Sequence, residues 1–191
     1  MKKITATAIG SIMGLSLLMA GCSKTTSVED YERVPMSASW AYGYSSIEEM
    51  TQSSDIVAII KVTDSECKSE NGTLYTTYTA QVEQLICGND EKEIKVYMTG
   101  GIDESEKLIY EFDDDPLMQT GDEFLIFARK NQSGTYTILT GPEGRYVVKD
   151  DCVYPLNDET VTVKSAKERS KISADGENIE DFAELVKSYS T

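Results

Sequence analysis

Three sets of residues in this chain have the types and spacing to do chemistry: four cysteines, a crowd of carboxylates and a short aromatic alternation. The cysteines are Cys22, Cys67, Cys87 and Cys152. A nucleophilic thiol needs a base to activate it, and the chain contains 0 histidines, so His-dependent triads, His-ligated metals and imidazole proton shuttles are all excluded. The cysteines are too scattered for a zinc-site spacing. The carboxylates Asp103, Glu104, Glu106, Glu111, Asp113, Asp114 and Asp115 crowd one connection. Oxygen-rich runs bind calcium, and Asp113, Asp114 and Asp115 are the candidate ligands, although the spacing is not that of an EF-hand loop. The alternative is a solvated acidic loop. Trp40, Tyr42 and Tyr44 alternate as the residues of an edge strand or of a cover over the core do. The other reading is a stacking platform for a sugar or peptide. No cofactor motif is present, and nothing in these sets assembles a catalytic group.

Composition narrows the setting. The 191 residues carry 18 basic and 33 acidic side chains, a net charge of −15. That excludes nucleic acid as a partner, because recognition of phosphates requires a basic footprint. With 40% hydrophobic and 27% charged residues the chain fits one domain with appendages. Lys2 and Lys3 precede an uncharged stretch from Ile4 to Ala20. Its apolar part is short for a membrane span, and Gly10 and Gly14 weaken it as a helix, so it reads as a signal peptide rather than an anchor helix. Leu18-Met19-Ala20-Gly21-Cys22 resembles the lipobox of bacterial lipoproteins, with Met19 where leucine is commonest. The resemblance implies cleavage before Cys22 and a diacylglycerol on its thiol. The mature chain then has 191 − 21 = 170 residues and a charge of 16 − 33 = −17, since Lys2 and Lys3 leave with the leader. Two acyl chains give stable attachment where one does not. The expected location is the extracellular face of the cytoplasmic membrane, with the lipid as membrane partner.

The elements that would position these residues follow from periodicity. Residues 22–44 read as a lipidated tether, 45–156 as a β-barrel domain and 157–191 as an edge segment with a C-terminal helix. Ser46-Ile-Glu-Glu49 predicts a capping box and a helix over 46–53. Ile56–Val62 is a β-branched run expected to be central or buried on both faces. A polar loop ends at the turn pair Asn71-Gly72, and a long half-exposed strand runs from Leu74 to Ile86. Further strands are expected over 93–98, 107–112, 124–128, 135–139, 145–148 and 152–154, with an edge strand at 160–163. Ile179, Phe182, Leu185, Val186 and Tyr189 form one helical stripe, capped by Asn178. Short strands without intervening helices predict a mainly β fold, a barrel or sandwich.

Ser54–Val62, Thr76–Gly88, Thr99-Gly-Gly101, Thr120–Phe127 and Gly141–Val147 together resemble a group of secreted and lipid-anchored domains of Gram-positive bacteria. Those domains are distantly similar to the OB-like barrel of netrin-like modules, which include the tissue inhibitors of metalloproteinases. The resemblance covers roughly residues 52–155 and brings no catalytic set with it. It implies an OB-like closed or partly open antiparallel barrel, to which the capping box and the terminal apolar stripe add a short N-terminal helix and a C-terminal amphipathic helix. The function expected is a non-enzymatic surface binding module for a glycan or an envelope protein. The alternative is an accessory or inhibitory partner of an envelope or secreted enzyme. After Cys22 is acylated, Cys67, Cys87 and Cys152 allow at most one disulfide, whose pairing the sequence leaves open.

Overall fold

The computed structural model describes residues 30–37, 43–156 and 176–190. The leader, Cys22, Trp40, Tyr42 and the expected edge strand at 160–163 lie outside the described residues. No helix among the described residues is long and apolar enough to cross a membrane.

The fold is mainly β. Helix α1, Ile47–Ser53, starts at Ser46, whose hydroxyl accepts from the Glu49 N–H. The Glu49 carboxylate reaches back one residue further than a regular capping box, to the N–H and hydroxyl of Ser45 at 2.8 and 2.7 Å. Strand β2, Ile56–Glu70, and strand β3, Thr73–Gly88, form one long hairpin. Asn71 and Gly72 both take positive φ, as a two-residue hairpin turn requires. Asp64–Glu70, read from its polarity as a loop, is therefore strand. Three register shifts along β2 let the hairpin coil into the barrel wall.

Strand β4 (Glu93–Thr99) pairs with β3; β5 (Gly101–Asp103) and β6 (Leu108–Phe112) follow; β7 (Glu123–Lys130) pairs with β2, and β8 (Tyr136–Ile138) with β7. The order β7-β2-β3-β4-β8 closes because β8 also meets β4, in parallel, at Val96 and Tyr136. The result is a closed five-stranded, OB-like barrel, antiparallel except at that seam. Strands β9 (Arg145–Lys149), β10 (Cys152–Pro155) and β11 (Glu177–Asn178) extend the sheet beyond β7. Helix α2, Ile179–Tyr189, follows, capped by the Asn178 side chain.

Alternation along the shared strands builds two cores. Ile56, Ala58, Ile60 and Val62 of β2 face the barrel interior with Tyr78, Val96, Phe124 and Ile126. Val57 and Ile59 face outward, where Ile47 and Met50 of α1 and Phe182, Ala183 and Val186 of α2 cover them. Burial on both faces accounts for the unbroken apolar run at 56–60.

The end of the barrel is capped without a helix. Between β4 and β7 the hairpin β5–β6 folds over the mouth, and β1, Glu32–Met36, joins it in parallel alongside β6. A strand thus lies within 22–44, the span read as a lipidated tether. Glu32–Met36 is a strand held by Leu108–Phe112, because β6 offers it a free edge.

Candidate functional site

The cap and the barrel mouth enclose a cleft of about 620 Å3. Four side chains of the hairpin, Ser65, Cys67, Thr76 and Tyr78, form one wall. Ile102, Ile109 and Glu111 of the cap form the other, and the connector after β6 closes one side with Leu117 and Met118. The bend that brings β5 over the hairpin needs Gly100 and Gly101. Gly100 has φ +110, and a Cβ on Gly101 would fall 2.3 Å from the Cys67 sulfur. The Thr76 hydroxyl fixes the same bend by donating to the Gly100 carbonyl at 2.8 Å.

Charge enters the cleft as a chain of contacts. Arg33 of β1 donates to the carboxylate of Glu111, which is 8% exposed. The other oxygen of Glu111 accepts from the Leu117 N–H at 3.1 Å. On the far side of the connector, Asp115 is 5% exposed and pairs with Arg145, which is 0% exposed, at 2.6 Å. Arg145 also donates to the Pro116 carbonyl at 2.7 Å. The connector Asp113–Asp122 is thus held across the barrel mouth by Glu111 from one side and Arg145 from the other. Burial pulls the Arg145 guanidinium below its ordinary range and pushes the Asp115 carboxyl up, each opposed by the attraction of its partner. Burial likewise pushes the Tyr78 phenol up to about 12, with nearby Arg145 pulling it back.

The structure separates the residues that the sequence grouped as ligands. Asp113 and Asp114 are exposed while Asp115 turns inward to Arg145. Among the described residues no group of three or more Asp, Glu or Cys side chains is placed to hold a metal ion. The three carboxylates of the calcium reading, Asp113, Asp114 and Asp115, are therefore not brought together. Tyr44 is half-buried against the helix-covered core, and Arg129 lies at 3.4 Å from its hydroxyl. It acts there as a cover over the core; Trp40 and Tyr42, its proposed companions in a platform, lie outside the described residues. Cys67, Cys87 and Cys152 are all free, Cys67 exposed in the cleft wall and the other two half-buried.

Arg33, Tyr78 and Arg145 were not singled out by sequence reasoning, and Glu111 was seen only as one of a run. Their partners lie 78 residues apart for Arg33 and Glu111 and 30 apart for Arg145 and Asp115. The one local signal was Arg145 inside Gly141-Pro-Glu-Gly-Arg-Tyr-Val147, a cation that opens a strand and is followed by Tyr146, Val147 and Val148. No protein-family model matches the chain, and no curated protein matches it either.

Proposed function

We propose that this chain is a non-enzymatic binding module, held at the outer face of the cytoplasmic membrane by a diacylglycerol on Cys22, with its ligand received in the cleft under the β5–β6 cap. The observation that carries the reading is the cleft itself. A cavity of about 620 Å3 is within the range that encloses a small ligand, and its wall mixes aliphatic surface with Thr76, Arg33 and Glu111 as orienting polar groups. OB-like barrels commonly use the mouth and its loops for recognition. The absence of histidine from the sequence supports the non-enzymatic part, since Cys67 in the cleft wall then has no imidazole to activate it.

A second reading rests on the hairpin. Thr63–Thr73 is exposed along its whole length and projects past the strands that pair with β2 and β3. Such an arm suits docking into a protein partner, which is the accessory or inhibitory role.

Lipidation is tested by metabolic labelling with palmitate, which the wild type incorporates and Cys22→Ser does not. Ligand binding is tested by affinity capture from detergent-solubilised envelopes. Retention of glycan or a small ligand, lost in Ser65→Trp, which fills the cleft mouth, supports the binding module. Capture of one protein, unaffected by Ser65→Trp but lost when 65–71 is replaced by a short turn, supports the accessory role instead.

A further inference from the structure

A second cavity lies on the other side of the connector. It is a groove of about 430 Å3, walled by Leu117, Phe124, Val147 and Leu156, with Asp122 and Glu123 beside them and Arg145 in its lining. Pro116 and Leu117 border both cavities, so the connector is the partition between cleft and groove.

Arg145 is the unusual member. A guanidinium carries five N–H donors. The two bonds that Arg145 makes, to Asp115 and to the Pro116 carbonyl, both leave from Nη2. Among the described residues Nε and Nη1 are buried with no hydrogen-bond partner, which leaves three donors unmatched. The Phe124 ring stacks 4.9 Å from the guanidinium carbon and offers no lone pair. A buried donor without an acceptor is costly, and in a folded protein such a group calls for an explanation.

We propose that this groove is a peptide-binding site, taking a segment with apolar and basic side chains whose main-chain carbonyl accepts from the free edge of Arg145. What the guanidinium lacks is oxygen rather than negative charge, because Asp115 already balances it. A second anion would also meet Asp122 and Glu123 and a chain of net charge −15. A main-chain carbonyl is a strong, uncharged acceptor. The aliphatic wall fits apolar side chains; Glu123 is already paired with Lys61 at 2.7 Å, so it is Asp122 that favours a basic one. A sugar would supply oxygens too, but it needs an open aromatic face. Phe124 is 6% exposed and one of its faces is taken by Arg145. Both Nε and Nη1 are buried as the chain stands, so a carbonyl reaches them only when a lining side chain moves aside. The site is separate from the cleft and stands whether or not the cleft binds anything.

The test uses the full chain in detergent, labelled with 15N, and follows the Nε–H resonance of Arg145. The probe is an acetylated, amidated pentapeptide of alternating Val and Lys. The expected result is a saturable shift of that resonance and of the Val147 and Leu156 amides, with the Ile102 amide in the cleft unmoved. Arg145→Lys keeps the charge but loses the planar fork, and should weaken binding by about tenfold or more. If that variant does not fold, Leu156→Trp, which fills the groove from a half-exposed position, must abolish the shift. Ser65→Trp, which blocks only the cleft, must leave it intact. The proposal is overturned by no shift at millimolar peptide, by equal binding to the Val–Asp pentapeptide, by unchanged affinity in Leu156→Trp, or by an N-acetylglucosamine trimer moving the resonance in the peptide's place.

Discussion

At the scale of single residues, Arg145 and Asp115 decide how the barrel mouth is closed. Both are almost wholly buried, and burial shifts each toward its uncharged form despite their 2.6 Å contact. Desolvation therefore cancels much of the Coulomb attraction, and the pair is a weak source of net stability. Its consequence is positional: Asp115 and Pro116 cannot leave the mouth without stranding a cation in an apolar site. Asp115→Ala removes the partner and keeps the cation, so a loss of about 3–5 kcal/mol is expected. The double variant Asp115→Leu with Arg145→Met removes both charges, and most of that loss should return. Urea unfolding of the three proteins checks this, and a double variant as unstable as Asp115→Ala would show that the ion pair itself holds the fold.

At the scale of elements, the weakest join in the barrel is its seam. Strands β4 and β8 meet only at Val96 and Tyr136, and a side-chain clamp reinforces them. The Tyr136 hydroxyl and the Lys130 ammonium both donate to one oxygen of Glu91, at 2.8 and 2.6 Å, and Asn89 lies 3.4 Å from the same hydroxyl. The bond from Lys130, then that from Tyr136, holds the Glu91 carboxyl below the ordinary value of 4.5. A carboxyl depressed in the folded state stabilises at neutral pH, and that contribution fades as pH falls below 4.5 through the folded value. Glu91→Gln should lower stability at pH 7 by about 1 kcal/mol. It should also flatten the loss of stability with acid in that window. Urea midpoints of both proteins against pH check the sign, and parallel curves would remove Glu91 from the acid response.

The elements also show where local sequence carries information and where it does not. The Ile56–Val62 run, the Asn71-Gly72 turn and the Ser46 and Asn178 caps are decided within a few residues, and each is found where periodicity and turn chemistry put it. Asp64–Glu70 is charged because it is an edge, not because it is a loop, and polarity alone does not separate the two. The pairing of β1 with β6 has no local signal, so the entry of Arg33 into the cleft was invisible in the sequence. The run Asp113–Asp115 looked like a ligand cluster because adjacency in sequence says nothing of direction; the third carboxylate points to a residue 30 positions later.

At the scale of the whole molecule, the two cores are the two faces of the same strands. In β7, Phe124, Ile126 and Ala128 point into the barrel while Leu125 and Phe127 point to the helices. Phe127, Tyr146 and Phe182 meet edge to face or tilted, with ring centres 5.7 to 6.3 Å apart, and this cluster ties α2 to the sheet. Removing the helix-covered core uncovers the outer faces of β2 and β7, whose other faces line the barrel, so the two cores are expected to unfold together. Phe182→Ala opens a cavity in the outer core and is expected to cost about 3–5 kcal/mol. The loss should fall on the barrel as much as on the helix, because a two-faced sheet transmits it. Methyl resonances of Ile60, inside the barrel, and Ile59, beneath the helices, report the two sides separately. In both wild type and Phe182→Ala they should disappear at a common urea concentration, lower in the variant. Loss of Ile59 well before Ile60 would mean that the helices form a separate unit, and that the barrel, cleft and groove fold without them.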